Sequence, residues 1–354
     1  MIVPPTAVLA GELWTGSTEL GLARGLRRAG WAVHEVDRAR HQVQLGNSRV
    51  ARAVRRMLGR GAAIAGYRAD VLDAVATIRP DVFLVIKGAD LDAATLARIR
   101  ALGARTAVFY PDVHFDFEGV CQDAFRQYEY FITTKTFQLD YLRARLPQTI
   151  VEHLHHGYCD EVHRPYLADV QESEYVADLA YCGNHNAYKQ RWLEALAMRL
   201  PNLRLHILGH HWQRAIQGTV LARCSVERGC VGYGYARTIQ LSRINLAIHG
   251  GPAGSQGWAD LVSTRTFEIP ACGGFMLHVD SPEVRALYEP GKEIDVFGDV
   301  DELAARVEHY LQRPDTRAQM RHAAYRRCVP GYGYAARAAQ LASILARPSL
   351  QSTR

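Results

Sequence analysis

Asp260, Arg265 and Glu268 are the residues of this sequence whose types and spacing first suggest chemistry. The two carboxylates are eight positions apart, and Arg265 lies one helical turn before Glu268. A carboxylate accepts hydrogen bonds from vicinal hydroxyls such as those of a ribose, whereas a guanidinium suits a phosphate. The alternative interpretation of the same three residues is a solvated salt-bridge surface.

The segment around Glu268, TRTFEIPACGG, predicts a short and broken helix. Pro270 follows two residues after the acid, and Gly273 and Gly274 end the segment. A proline inside a helix removes a backbone donor and costs about 3 kcal/mol. We therefore expect an irregular helix whose unsatisfied backbone groups and acid face a ligand, with Asp260 and Glu268 bracketing a passage from loop to helix.

A second group of polar residues stands at YCGNHNAYKQRW. Gly183 directly follows a predicted strand, and Lys189 and Arg191 lie in the first turn of the next helix. Backbone N–H groups at a helix start attract phosphate, and a nearby cation adds charge-assisted hydrogen bonds. A diphosphate site is one interpretation, and two exposed basic residues on a surface helix are the other.

Candidate acid–base residues follow a strand in YPDVHFD. Asp112, His114 and Asp116 could reach a substrate hydroxyl. A reaction that inverts configuration needs one of them as a general base, whereas a retaining reaction does not. A loop of solvated polar residues is an equally acceptable interpretation.

The first glycine-rich turn predicts a wall of a substrate site at Gly16 and Ser17. The glycines at Gly11, Gly16 and Gly21 have the spacing G-x4-G-x4-G, which departs from the dinucleotide-binding pattern G-x-G-x-x-G. A strand-to-helix turn that needs small residues is the simpler interpretation. The sequence contains no GK[ST] phosphate loop either.

Alternating strands and helices must position these residues. The first half begins with a βαβ unit and continues with the buried strands DVFLVIKG, TAVFYPD and EYFITTK. Apolar periodicity fades near residues 158 to 175, which marks a domain boundary. A second alternating series follows, with the strands ADLAYCGN, RLHILGHH, INLAIHGG, GGFMLHV and EIDVFG. Two consecutive α/β domains, with ligands at the carboxyl ends of their strands, are the predicted architecture.

Length and composition restrict the class of protein. A chain of 354 residues with 48% hydrophobic and 22% charged residues is an ordinary soluble globule of about two domains. Seven scattered cysteines without a CxxC pair favour a reducing, cytoplasmic setting, and neither a signal peptide nor a membrane span is predicted. The net charge of +6 favours anionic partners without choosing among them.

Two further sequence patterns each suggest a possible binding site. HLHHG and GHHW are histidine-rich, but because no carboxylate accompanies them at ligand spacing we predict no metal site. RVARAVRRMLGR, from Arg49 to Arg60, predicts a basic amphipathic helix. Such a helix could lie on an anionic membrane or bind a phosphorylated substrate, and a core-packing helix with a solvated basic face is the alternative.

The second half resembles a known family. GNHNAYKQRWLEAL, STRTFEIPACGGFML and the tail after YGYAARAAQL are similar to the C-terminal half of GT-B glycosyltransferases, closest to the CgeB-like or spore-maturation-like group related to glycosyltransferase family 4. The resemblance covers roughly residues 178 to 345, and R-x-F-E-I-P-A-C-G-G is its most specific part.

The resemblance implies a fold and roles for particular residues. The fold would be α/β, with two Rossmann-like domains facing a cleft. Glu268 resembles the acid that binds the nucleotide ribose, Lys189 and Arg191 the basic pair at the diphosphate, and Arg265 a residue that assists them. Gly273 and Gly274 would let the chain pass close to the donor. Asp260 stands at the first acid of the E-x7-E motif and is one methylene shorter, which puts its catalytic role in question.

The resemblance also implies a separate role for each of three segments. Residues 1–165 would form an acceptor domain, 166–330 a nucleotide-sugar donor domain, and 331–354 a C-terminal helix that packs back on the first domain. Asp112, His114 and Asp260 are the catalytic candidates. Gly183 joins the donor site, and Gly16 and Ser17 lie on the acceptor side.

We therefore expect a glycosyltransferase that moves a sugar from a nucleotide-diphosphate donor to a hydroxyl acceptor. The family likeness favours retention of configuration and implies no cofactor and no bound metal. The acceptor could be a glycan, lipid-linked, protein or small-molecule hydroxyl, and peripheral contact with the inner membrane face stays open. Nucleic acid is not an expected partner. The alternatives are a nucleotide-sugar epimerase of the same fold and a non-catalytic sugar-nucleotide-binding protein.

Overall fold

The computed structural model describes residues 3–41, 60–168, 170–229 and 231–348. The chain divides into two compact units, which comprise residues 1–155 with 334–354 and residues 156–333. The predicted basic helix lies outside the described residues except for its last residue, Arg60.

The first unit is built on a parallel sheet of six strands in the order β2-β1-β3-β4-β5-β6. Its strands are β1 (Thr6–Gly11), β2 (Ala32–Asp37), β3 (Val82–Ile86), β4 (Arg105–Tyr110), β5 (Tyr130–Thr133) and β6 (Ile150–His153). Before the second unit begins, its α-helices within the described residues are α1 (Thr18–Arg28), α2 (Arg60–Ile78), α3 (Ala93–Ala101) and α4 (Leu139–Arg145). Every residue of β3 is buried, as expected of a parallel strand covered on both faces.

The second unit is also built on a parallel sheet of six strands, in the order β12-β11-β10-β7-β8-β9. Its strands are β7 (Ala177–Cys182), β8 (Leu205–Leu208), β9 (Ser225–Glu227), β10 (Ser242–Ala247), β11 (Met276–Val279) and β12 (Asp295–Phe297). Its helices are α5 (Ala187–Arg199), α6 (Trp212–Ala215), α7 (Tyr233–Gln240), α8 (Arg265–Ala271), α9 (Pro282–Leu287), α10 (Val300–Leu311) and α11 (Pro314–Cys328).

The core of the second unit lies on both faces of its sheet. Leu246 and Leu277 pack into one apolar cluster, whereas their neighbours Ala247 and Met276 pack into another. This alternation follows from the pleat, which points successive side chains to opposite faces. The predicted fold class of two Rossmann-like domains is confirmed, although β6 and β9 are not among the predicted strands.

The last helix, α12 (Tyr334–Leu345), belongs to the first unit and packs against α1. A Cβ at Gly25 would lie 2.5 Å from Cβ of Ala338, and Gly21 is covered by the ring of Tyr334. The two glycines therefore allow the helices to approach closely.

Side-chain hydrogen bonds satisfy backbone groups of α1 and α8. Ser17 caps α1 by accepting a hydrogen bond from the Leu20 amide at 3.1 Å. The predicted broken helix is α8, which contains Pro270 and ends before Gly273 at φ 78°. Pro270 has no backbone N–H, so it cannot donate the helical hydrogen bond to the carbonyl of Thr266. This carbonyl instead accepts a hydrogen bond from the Tyr288 hydroxyl at 3.0 Å. The protein itself satisfies this group, so the expectation that it faces a ligand is wrong.

Candidate active site

The strand order of the second unit places a ligand crevice between β7 and β10. The chain runs from β7 to β8 and β9 on one side and then returns to β10 on the other side of β7. In open α/β sheets, ligands bind at the carboxyl ends of the strands where the order reverses in this way. Gly183 follows β7 directly, and His249 lies just beyond β10. Both residues therefore lie where the strand order reverses, which we call the switch point of the sheet.

Arg265 spans the switch point. Its Nη1 donates to the carbonyl of Cys182 at 3.3 Å, and its Nη2 donates to the carbonyl of Ile248 at 3.2 Å. Its buried Nε has no hydrogen-bond partner in the described parts of the chain. The guanidinium also lies 5.6 Å from the ring centre of Tyr181. Arg265 is therefore held by the ends of two strands.

Gly183 makes room for this guanidinium. A Cβ at residue 183 would lie 2.7 Å from Nη1 of Arg265 and 2.7 Å from the hydroxyl of Tyr181. Such distances require the neighbouring atoms to move. The glycine that the sequence places after the strand therefore allows the strand end and Arg265 to approach each other.

Lys189 joins Arg265 at the start of α5. Its Nζ donates to the carbonyl of Asn184 at 3.4 Å. Burial and the positive charge of Arg265 together lower the pKa of Lys189 to about 8, against the opposing effect of the carboxylate of Asp260. A lysine whose pKa is depressed beside an arginine would regain its charge on binding an anion. The three predicted residues Lys189, Asp260 and Arg265 therefore interact electrostatically in one site.

Glu268 is held by two residues that the sequence analysis did not identify. The hydroxyl of Tyr235 donates to Oε2 of Glu268 at 3.1 Å, and Nε2 of His163 lies 3.9 Å from Oε1. Nδ1 of His163 accepts a hydrogen bond from the Cys159 amide at 3.0 Å, which assigns the proton to Nε2. The pKa of Tyr235 is raised by burial and by the negative charge of Glu268, so the phenol stays a donor.

The sequence contains only weak signals that His163 and Tyr235 belong to the site. His163 lies in the predicted domain boundary, where a histidine has no periodicity to mark it. Tyr235 belongs to YGYAR, which reads as the start of a helix. Its role appears only when α7 and α8 bring residues 235 and 268 together.

The remaining predicted donor residues have other neighbours. Arg191 is exposed, and its guanidinium lies 5.8 Å from the ring centre of Tyr188. A Cβ at Gly273 would lie 3.4 Å from Pro165, and one at Gly274 would lie 2.8 Å from Nδ2 of Asn245. Both glycines thus pack closely against protein atoms of the second unit.

The first unit holds the other catalytic candidates at the end of β4. Oδ2 of Asp112 lies 2.6 Å from Nζ of Lys87, a residue that the sequence analysis did not identify. The same Nζ lies 3.8 Å from the ring centre of Phe117, on which the ring of His114 stacks at 4.1 Å. Asp116 is exposed and accepts from Gln122 at 2.9 Å. Asp112 is therefore an ion-paired carboxylate.

Gly16 and Ser17 have roles in the local backbone. Gly16 adopts φ 94°, a left-handed conformation that favours glycine, and Ser17 is the buried cap of α1. Both residues lie in the loop after β1, at the carboxyl edge of the first sheet.

The histidine-rich stretches do not form a metal site in the described residues. Within residues 3–41, 60–168, 170–229 and 231–348, no group of three or more His, Cys, Asp or Glu side chains is placed to hold a metal ion. Burial, together with a smaller contribution from His153, lowers the pKa of His155 to about 3, so this side chain is neutral. In the same described ranges, no helix is long and apolar enough to cross a membrane.

Known structures share this architecture. Sucrose-phosphate synthase from Thermosynechococcus elongatus superposes with a TM-score of 0.66 at 12% identity, over 96% of this chain and 98% of that one. Anabaena HepE in complex with UDP-glucose gives 0.61 at 12% identity, over 96% and 99%. A provisionally assigned UDP-N-acetylglucosamine 2-epimerase from Listeria monocytogenes gives 0.57 at 12% identity, over 96% of both chains. The fold is therefore the GT-B fold of two Rossmann-like domains.

A sequence-family comparison agrees with the fold. The model of the family described as "Glycosyl transferase-like" matches residues 187–343, which include Lys189, Arg265 and Glu268. A search of the curated proteins found no match.

Proposed function

We propose that this protein is a glycosyltransferase whose second unit binds a nucleotide-diphosphate sugar and whose first unit binds the acceptor. One observation carries the proposal: Lys189 and Arg265 converge at the β7/β10 switch point, with the oriented carboxylate of Glu268 one helical turn beyond Arg265. The cations suit a diphosphate, and the carboxylate suits vicinal ribose hydroxyls.

Each donor-site residue would have a defined task. Arg265 and Lys189 bind the diphosphate and stabilise the charge that develops on it as the glycosidic bond breaks. Glu268 accepts hydrogen bonds from the ribose while Tyr235 holds one of its oxygens. Arg191, Gly273 and Gly274 are proposed to contribute at the margin of this site. Asp260 tunes the charge of Lys189 and is a candidate for contact with the donor sugar.

The acceptor hydroxyl would be bound in the first unit, where Asp112 and His114 are the candidate acid–base groups and Gly16 and Ser17 form part of the wall. The ion pair with Lys87 holds the side chain of Asp112 in place at the end of β4. We favour retention of configuration and transfer without a bound metal, in a cytoplasmic protein. The anomeric configuration of the product, read by NMR, tests the first of these.

The experiment that tests the donor site is a thermal-shift panel of UDP, GDP, ADP, CDP and dTDP. A ligand at about 100 times its Kd adds about 2.7 kcal/mol to the free energy of unfolding. UDP is the first probe, because HepE structures contain UDP and UDP-glucose. Stabilisation by at least one diphosphate is expected, and failure of all five would refute the donor site.

A nucleotide-sugar epimerase is the second candidate, because the Listeria protein of that description has the same fold. An epimerase would release nucleotide and an altered sugar from the donor without any acceptor. Acceptor-dependent release of nucleotide supports the transferase, and acceptor-independent formation of an epimer supports this alternative.

A further inference from the structure

The first unit contains a second switch-point crevice, between β1 and β3. The strand order β2-β1-β3 shows that the chain reverses direction across the sheet at this place. The loop after β1 carries Glu12 and Trp14, the first turn of α1 carries Glu19, and the loop after β3 carries Asp90. General rules for α/β sheets make this edge the expected ligand site of the unit.

Side-chain contacts join the two loops across the crevice. Nε of Arg38 donates to Oδ2 of Asp90 at 2.8 Å, and its Nη1 donates to Oε1 of Glu12 at 2.5 Å. Asp90 is 7% exposed and adopts φ 63°, a strained conformation for a residue with a side chain. The structure thus holds a buried carboxylate in an unfavourable backbone geometry at the crevice.

The crevice also contains polar groups that no described residue satisfies. The hydroxyl of Tyr67 is buried without a hydrogen-bond partner in the described ranges, and the side chain is 1% exposed. The charges of Arg38, Asp90 and Glu19 all act on this hydroxyl.

Glu19 lies at the entrance of this crevice. Its side chain covers the last residue of β1, where a Cβ on Gly11 would lie 2.6 Å from Cγ of Glu19. Burial raises the pKa of Glu19 to about 7, against the opposing effect of hydrogen bonds from the backbone. Near neutral pH this carboxyl can therefore either accept or donate a hydrogen bond, as a hydroxyl ligand requires.

The balance of charge distinguishes the two crevices. Among the described residues, carboxylates outnumber cations at the first crevice, where Glu12, Glu19 and Asp90 stand with the guanidinium groups of Arg38 and Arg68. At the second crevice the charges balance, because Lys189 and Arg265 stand with Asp260 and Glu268. An acidic site repels phosphate. Trp14, which is 50% exposed in the same loop, offers the apolar face that a sugar ring can cover.

We propose that the β1/β3 crevice, bordered by Trp14, Glu19 and Asp90, binds an uncharged carbohydrate as the acceptor of the transfer reaction. The inference rests on the proposed function, and it narrows the acceptor to a neutral polyol whose bound part carries no phosphate. The carboxyl groups bind its hydroxyls, and Trp14 covers one face of its ring.

Saturation-transfer NMR on the full chain with UDP present tests this site. The probes are the methyl glycosides of glucose, galactose, mannose and N-acetylglucosamine, together with glucose 6-phosphate. The variants are Trp14→Ala and Glu19→Gln, and the control is Leu102→Ala, an exposed apolar residue at the end of α3. At least one neutral glycoside is expected to bind, and its affinity should fall about tenfold in both variants.

The controls separate this proposal from the proposed function. Leu102→Ala should bind the glycoside normally, and all three variants should bind UDP like the wild type and unfold at the same temperature. Stronger binding of glucose 6-phosphate, no binding of any neutral glycoside, or unchanged binding in both crevice variants would overturn the acceptor site. Failure of the proposed function would appear instead as a wild-type protein that binds no nucleoside diphosphate.

Discussion

The hydroxyl of Tyr235 lies 3.1 Å from Oε2 of Glu268 and donates a hydrogen bond to it. This contact fixes one oxygen of the carboxylate and leaves the other, Oε1, near His163 at 3.9 Å. Glu268 is thus an acceptor whose orientation is set by the protein before a ligand arrives, which lowers the entropic cost of binding.

Tyr235→Phe should therefore weaken nucleoside diphosphate binding while leaving the fold intact. Loss of one hydrogen bond to a charged group costs about 1.5–3 kcal/mol in the oriented state, so we expect the Kd to rise about tenfold or more. Tyr233→Phe is the matched control, because Tyr233 lies on the same helix and is 51% exposed. Isothermal titration calorimetry measures both. Equal affinities for the two variants would show that Tyr235 does not position Glu268.

The pKa of Lys189 predicts a pH dependence of binding. Its ammonium is charged below a pH of about 8 and neutral above it, and a bound diphosphate favours the charged form. Affinity should be constant from roughly pH 7 to 8 and fall about tenfold for each further pH unit, because binding then takes up one proton. The diphosphate itself is fully ionised in this range, since a terminal phosphate titrates near pH 6.

Lys189→Arg provides the control for that profile. An arginine stays protonated throughout the range, so the variant should bind with an affinity that does not change with pH. A wild-type profile that is flat to about pH 9.5 would contradict the assignment of Lys189 to the diphosphate.

Gly183→Ala tests the close approach of the strand end to Arg265. The new Cβ would lie 2.7 Å from Nη1, so the guanidinium must move away from the switch point. We expect about a tenfold loss of nucleotide affinity, with the unit still folded. In Gly61→Ala, where no atom lies within 4 Å of the new Cβ, affinity should not change and stability should rise by up to about 1 kcal/mol. Normal nucleotide binding by Gly183→Ala would argue against Arg265 as a phosphate ligand.

The break in α8 leads to a prediction about stability. Tyr288→Phe removes the donor to the Thr266 carbonyl, which Pro270 leaves without its helical partner. A buried carbonyl without a donor should lower the free energy of unfolding by about 1–3 kcal/mol, measured by urea denaturation. Tyr128→Phe is the control, because that buried hydroxyl has no hydrogen-bond partner in the described residues, and a change within about 0.5 kcal/mol is expected. An equal loss of unfolding free energy in both variants would show that the Tyr288 hydroxyl does not stabilise the Thr266 carbonyl.

The sequence predicted the elements of the fold better than the contacts within the site. A long apolar run such as VFLVI predicts a buried strand, and a serine before a helical pattern, such as Ser17, indicates the start of a helix. Both signals are local in the sequence. The short strands β6 and β9, with four and three residues, carry too few positions for a period to show.

Contacts between distant segments explain what the sequence did not show. Tyr235 reaches Glu268 across 33 positions of the chain, and Tyr288 reaches Thr266 across 22. Lys87 meets Asp112 because β3 and β4 are neighbours in the sheet. Residue types and spacing alone do not specify such pairs. The roles of Lys189, Arg265 and Glu268 as ligands of a diphosphate and a ribose stay predictions until binding is measured.

The most direct measurement is the affinity of Glu268→Ala for the nucleoside diphosphate that stabilises the wild type, determined by isothermal titration calorimetry. Glu308→Ala, which removes an exposed carboxylate from α10 of the same unit, is the control. The ribose assignment predicts about a tenfold or greater loss for Glu268→Ala and none for Glu308→Ala. A Glu268→Ala protein that folds normally and binds the nucleotide with wild-type affinity would contradict the donor site proposed for this protein.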